Sequence, residues 1–343
     1  MMQVNGWIRY LCALAFHYSG LDALYRFASG RGLVVLMLHR LRDEHDYYPL
    51  STRIATLSRL VQWLREDDVL VSLDEGLARL AGGPRRAVNY AITLDDGYLD
   101  NLRLVEGEVV GTPATVYIAT GHIGGDPIWA YRLSRAVETR SQDLLDLGRH
   151  GLGRFDLSRP NERERALQLL PPWLKQFSHD EFEARLGEVL GQLQPTEPLD
   201  AKRDMMDWSD VRTLDEKGID IGGHTCSHVL LSRVDDATAR LEIEDCTRAI
   251  ERELGRRPRH FAYPNGTAQD FGERDIDLVK RAGYATAATS IEGVNRPGTS
   301  HYLLLRHNVH DSRYRAPDGT LSRALFFSET SGLLGMLRTR LAA

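Results

Sequence analysis

Cysteine is scarce in this sequence. Cys12, Cys226 and Cys246 are the whole set, an odd number with no Cys-x-x-Cys pair. That excludes a disulfide framework and a thiolate metal site, and it fits a reducing compartment better than a secreted one. A basic excess is lacking too: 43 Lys and Arg stand against 48 Asp and Glu, a formal net charge of −5. A nucleic-acid partner, which calls for a basic domain, is therefore not expected. No run of about 18 or more apolar residues occurs, which excludes a membrane-spanning helix. No repeat and no low-complexity tract is visible. The opening MMQVNGWIRYLCALAFHYSG has one apolar stretch, interrupted by Arg9, and fits a secretory signal poorly. The expected location is cytoplasmic or peripheral to the inner face of a membrane. Trp7, Ile8, Leu11, Leu14, Ala15 and Tyr18 share one face of an amphipathic helix within residues 5–28. That face suits either packing against the body of the protein or peripheral contact with a membrane surface.

What is present is enough apolar material for a large core: 42% of 343 residues. Short apolar, β-branched runs recur at Leu33–Leu38, Val88–Leu94, Ala114–Thr120, Ile219–Gly222, His260–Tyr263, Tyr284–Thr289 and Tyr302–Val309. Helix-period segments lie between them, over 52–65, from a cap at Ser209 to Gly218, and over 236–254 and 274–282. Strands alternating with helices imply parallel βαβ units, and about seven of them imply a closed or nearly closed barrel. Residues 121–206 break the alternation. There, 129–140 and 180–193 read as helices and 171–177 as a turn and helix start, a helical insertion that either walls a substrate groove or merely packs.

In parallel α/β folds chemistry gathers at the C-terminal strand ends. The second run leads into Asp95-Asp96-Gly97, and the fourth into His224-Thr225-Cys226-Ser227-His228. Each alone is a common loop pattern. Together they supply two imidazoles at i and i+4 and one carboxylate, a facial set with open positions that suits a divalent ion such as zinc in a hydrolytic role. The other carboxylate is then free to act as a base. The fifth run ends in Tyr263-Pro264-Asn265-Gly266, whose backbone N–H groups could face an oxyanion. After the last run, His307 and His310 are both candidates for an acid that protonates a departing amine. His39 leaves the first run at the same mouth.

This pattern resembles the polysaccharide deacetylases that carry the NodB homology domain, carbohydrate esterase family 4. Thr93-Leu94-Asp95-Asp96-Gly97 matches the first family motif, T-[FL]-D-D-G, and His224-Thr225-Cys226-Ser227-His228 the second, H-[ST]-x-x-H. Trp208-Ser209-Asp210-Val211-Arg212 follows the run-up to the second motif. Tyr263-Pro264-Asn265-Gly266 matches the Y-P-x-G form of the third, and Gly283-Tyr284-Ala285 and Leu305-Arg306 resemble the closing strands, so the resemblance spans about residues 33–310. It implies a distorted (β/α)7 barrel, with the insertion falling between the two metal-ligand motifs. It implies Asp95 as catalytic base, Asp96, His224 and His228 as metal ligands, and His307 as the acid of an L-x-H motif. One departure stands out. Many members begin the third motif with an arginine that pairs with the base, and here Ala262 holds that place. Arg306 and His39 are the candidates to orient Asp95 instead, and the carboxylate that usually orients the acid histidine has no evident counterpart.

The expected organisation is an N-terminal helical segment over 1–30, a barrel over 31–315 that includes the insertion 121–206, and a C-terminal helical tail over 316–343. The expected activity is hydrolysis of the acetamide of N-acetylated sugars in a polysaccharide or oligosaccharide precursor. One divalent ion, zinc foremost, would activate the attacking water, with Asp95 taking its proton and the Tyr263 N–H, Asn265, Arg306 and His39 serving oxyanion and substrate. The competing expectations are a non-catalytic glycan-binding barrel, or a hydrolase of another C–N or ester bond.

Overall fold

Seven of the apolar runs become parallel strands in the computed structural model, which describes residues 2–43, 48–82, 88–196, 204–310 and 312–332. The barrel strands are β1 (Gly32–Leu38), β2 (Val88–Leu94), β3 (Ala114–Ile118), β4 (Asp220–Gly223), β5 (His260–Ala262), β6 (Thr286–Ala288) and β7 (Arg306–Asn308). They are ordered β6-β5-β4-β3-β2-β1-β7. β1 and β2 pair in register from Gly32 opposite Val88 to Leu38 opposite Leu94. β7 pairs with the other edge of β1, Val35 opposite Arg306. A parallel bridge from Ala288 to Leu304 links β6 to the chain just before β7 and brings the ring close to closure. The result is a distorted (β/α)7 barrel. Every residue of β1, β2 and β3 is buried, as strands covered on both faces must be.

The helices are α1 (Met2–Tyr18), α2 (Leu21–Ala28), α3 (Ile54–Glu66), α4 (Leu73–Gly82), α5 (Trp129–Thr139), α6 (Pro160–Leu174), α7 (His179–Leu193), α8 (Trp208–Glu216), α9 (Asp236–Leu254), α10 (Glu273–Arg281) and α11 (Arg323–Thr330). α3 turns Leu57, Leu60, Val61 and Leu64 inward. α9 ends at Gly255, whose φ of 68° closes the helix in the left-handed conformation that glycine takes without strain. The cap of α8 is Asp207 rather than Ser209. Its carboxylate accepts from the Ser209 and Asp210 N–H groups, and Asp210 reciprocates to the Asp207 N–H at 2.9 Å.

The insertion contains α5, α6 and α7, and also a short antiparallel hairpin, Leu144–Leu147 with Gly153–Asp156, which the sequence did not signal. The expected helix start at 171–177 is a helix end: α6 runs through Pro171 and Pro172 to Leu174. The insertion has its own apolar core, including Leu133, Leu145, Phe155, Leu170 and Leu186. Arg40 fastens it to the barrel mouth. This buried guanidinium donates to Asp100 (2.8 Å) and Asp204 (3.0 Å) and lies against the rings of Tyr98 and Tyr131, each within about 5 Å.

α1 packs on α11, with Tyr10, Ala13, Leu14 and Phe16 against Ala324 and Leu325. The face read from the sequence is mostly the other one: Trp7, Ile8, Leu11, Ala15 and Tyr18 are exposed, Trp7 by 51% and Tyr18 by 81%. No helix among the described residues is long and apolar enough to cross a membrane. The end of the expected tail, 333–343, lies outside the described residues.

Candidate metal centre and active site

β2 carries the first motif to the barrel mouth. The ladder persists as far as the Asp95 N–H, which donates to the Leu38 carbonyl at 3.0 Å. The chain then turns sharply, with φ of 81° at Asp96 and 91° at Gly97. Both carboxylates end up at the mouth and almost wholly buried, each 2% exposed.

β4 carries the second motif. A Cβ on Gly223 would lie 2.2 Å from the Tyr284 hydroxyl, so the strand can pass there only as glycine. The loop beyond it is held from two sides. Glu242 accepts from the Cys226 and Ser227 N–H groups at 2.9 and 2.7 Å, while the Thr120 and Gly121 N–H groups donate to the Thr225 and Cys226 carbonyls. Thr225 and His228 have φ of 62° and 55°. With Asp96 and Asn265, they are four of the six non-glycine residues at positive φ among the described residues. Backbone held in this sparsely populated region commonly gathers where side chains are aimed for function.

Asp96 Oδ1 lies 3.4 Å from His224 Nε2 and 3.4 Å from His228 Nε2. One ligand atom from each residue falls within 4.8 Å of the others, and all three residues are buried. Asp96 Oδ1 is a buried oxygen with no hydrogen-bond partner. His224 Nδ1 lies 2.7 Å from the Ala262 carbonyl, so Nδ1 carries the proton and Nε2 offers its lone pair to the group. An unsatisfied carboxylate oxygen beside two imidazoles, one with its tautomer fixed from behind, fits a divalent cation.

Asp95 is held by Arg306. The guanidinium makes a bidentate pair with the carboxylate, 2.7 Å to Oδ1 and 2.8 Å to Oδ2, and is itself fixed by the Thr289 carbonyl (2.7 Å) and the Thr93 hydroxyl (3.2 Å). Burial pushes the Asp95 carboxyl up, but Arg306 and the neighbouring imidazoles outweigh it and hold it below the usual carboxylate range. The arginine missing at Ala262 thus has a counterpart two strands further along the chain. His39 stands next to the same carboxylate, with Nε2 4.0 Å from Asp95 Oδ2, and its backbone is pinned by Asn101 Nδ2 donating to its carbonyl at 2.8 Å. Burial lowers the pKa of His39 despite the two aspartates, so the ring is neutral near pH 7.

Two expected residues are not brought into the group. Because Arg306 points at Asp95, the pleat turns its neighbour His307 to the other face of β7. His307 is buried there with both ring nitrogens unpartnered, pushed down to about 4 by burial, and its charged neighbours are Arg313, Glu292 and Glu329. His307→Gln is expected to change kcat less than about threefold, whereas His39→Asn is expected to lower it at least about 100-fold, the range of a lost proton-transfer group. Steady-state kinetics on both variants checks this, and the reverse pattern would restore His307. The Tyr263 N–H is likewise unavailable to an oxyanion, since it donates to the Ala288 carbonyl at 3.0 Å in the ladder. In the same loop Asn265 Nδ2 is buried without a partner. His310 sits near the mouth, its Nδ1 3.2 Å from the Pro49 carbonyl and its Nε2 3.1 Å from Asn308 Nδ2. Arg40 and Glu242, which brace the two site loops, carried no sequence signal beyond being charged.

Residues 189–287 match the family model for polysaccharide deacetylase, a span that contains His224, His228 and Tyr263–Gly266. Solved structures share the fold. The deacetylase PplD from Streptococcus pyogenes, in complex with acetate, aligns with a TM-score of 0.51 at 12% identity over 84% of this chain and 96% of that one. IcaB from Ammonifex degensii aligns with a TM-score of 0.51 at 18% identity over 81% and 92%. A polysaccharide deacetylase from Bacillus cereus aligns with a TM-score of 0.51 at 14% identity over 88% and 69%. No curated protein matches the chain. Over residues 189–287 the chain is similar to the polysaccharide deacetylases, and its distorted barrel is the fold of the solved deacetylases it aligns with.

Proposed function

We propose that this protein removes acetyl groups from N-acetylated sugars of a polysaccharide or its precursor, with one divalent ion, zinc foremost, held by Asp96, His224 and His228. The observation that carries this is the buried Asp96 Oδ1, facing two imidazole nitrogens at 3.4 Å and bonded to nothing else. An ion bound there supplies Lewis acidity to water and to the substrate carbonyl. Asp95 takes the proton of the attacking water. Arg306 keeps that carboxylate charged and fixes both of its oxygens. His39, neutral and 4.0 Å away, accepts the proton from Asp95 and passes it to the departing amine. The buried surroundings exclude bulk water from this transfer.

Acetate release from N-acetylated oligosaccharides, with and without a chelator, tests the proposal. Release that stops on chelation and returns with zinc is expected. Chelator-resistant release would remove the metal from the chemistry, and failure to release acetate from any such substrate would leave a glycan-binding barrel or a hydrolase of another bond.

The outward apolar face of α1, continued by Leu21, Leu24 and Phe27 of α2, supports peripheral membrane contact as a second, independent proposal, at the inner membrane face. Co-flotation with anionic vesicles, lost on deleting residues 1–30, is the expected result; undiminished flotation of the deletion would contradict it.

A further inference from the structure

A cleft opens beside His228, between the barrel loop and the insertion. Trp129, Phe177 and Phe182 of the insertion line one side of it. Trp129 and Phe182 meet edge to face, ring centres 5.1 Å apart, which makes a rigid apolar wall of the kind that packs against a sugar ring. Two arginines line the same cleft, Arg132 from α5 and Arg233 from the loop after the second motif. The other guanidiniums placed close to the site have carboxylate partners: Arg306 pairs with Asp95, and Arg40 with Asp100 and Asp204. Among the described residues Arg132 and Arg233 have no carboxylate partner, and Arg132 Nε is buried with no acceptor at all. A buried, unpaired guanidinium nitrogen is costly unless something supplies an acceptor. The single carboxylate lining the cleft, Glu183, pairs with neither arginine.

We infer that the substrate is anionic. The cleft takes a glycan bearing a carboxylate or phosphate close to the acetamido sugar, with Arg132 and Arg233 as the groups that recognise it. This rests on the deacetylase proposal for the location of the acetamide, but the binding it describes can be measured without turnover. The shared chemistry is an anion that accepts from guanidinium. A uronic acid in the polymer and a sugar phosphate at a glycan end both provide it.

The test is calorimetric titration of the zinc-loaded full-length protein with three ligands: neutral diacetylchitobiose, a disaccharide of N-acetylglucosamine and glucuronate, and N-acetylglucosamine 1-phosphate. At least one anionic ligand is expected to bind about tenfold or more tightly than the neutral one. Whichever of the two does so identifies the source of the charge. Arg132→Gln and Arg233→Gln are each expected to reduce that preference about tenfold, the scale of a charge-assisted hydrogen bond. Arg132→Lys, which keeps the charge, is expected to restore part of it. Arg240→Gln, on the exposed face of α9, is expected to leave the preference as it is. Equal affinity for neutral and anionic ligands, or a preference that survives both glutamine variants, would overturn the inference, even if acetate release continued. A preference that holds while acetate release fails would leave this site standing and remove the deacetylase proposal instead.

Discussion

Arg306→Met is expected to lower folding stability by about 3–5 kcal/mol, the usual cost of removing one partner from a buried ion pair. Both partners are almost inaccessible here, Arg306 1% and Asp95 2% exposed, and the pair is bidentate, so the carboxylate left behind has no solvent to turn to. The pH dependence should change with it. Asp95 is depressed in the folded protein only because Arg306 and the imidazoles outweigh burial, the largest single influence on it. Its contribution to stability is therefore present above its unfolded value of about 4 and is lost as pH falls through the lower folded value. Without the guanidinium, burial prevails, and the acid limb of kcat/KM should move to higher pH. Denaturant melts and a pH–rate profile of the variant check both effects. An unshifted acid limb would mean that Asp95 does not depend on Arg306.

Asp95→Asn is expected to lower kcat by about 10²–10⁴-fold, the range for a lost general base, while zinc remains bound at one equivalent. The amide keeps the shape of the carboxylate and can still accept from Arg306, but it cannot hold the proton. Some stability is lost too, since a buried cation loses its charged partner. The Thr289 carbonyl and Thr93 hydroxyl still anchor it. Metal analysis beside steady-state kinetics separates this outcome from loss of the metal site. Turnover within about tenfold of the unaltered protein would move the base elsewhere.

The cluster of Asp96, His224 and His228 was legible because each of its parts is local. Two short motifs sit directly after apolar runs, and the only long-range step needed is that parallel strands end on the same rim. The seven strands and helices such as Asp236–Leu254 were legible for a similar reason: periodicity is a property of the segment itself. What the sequence did not settle depends on facing and register. Nothing in Leu305-Arg306-His307 says which side chain enters the barrel; that follows from β7 pairing with β1 at Val35 opposite Arg306. The ladder bond that occupies the Tyr263 N–H is invisible for the same reason. The hairpin at 144–156 consists of two four-residue strands, too short for alternation to register. In α1 the more apolar face was readable, but the packing face was fixed by α11, some 300 residues away.

The central claim is that Asp96, His224 and His228 hold one ion. X-ray absorption on the zinc-loaded protein, repeated on His224→Ala and His228→Ala, tests it most directly. The expected result is one zinc with two imidazole nitrogens and a carboxylate oxygen at about 2.0–2.2 Å, each alanine variant losing one nitrogen shell or the metal itself. Zinc with an unchanged coordination shell in both variants would contradict the account.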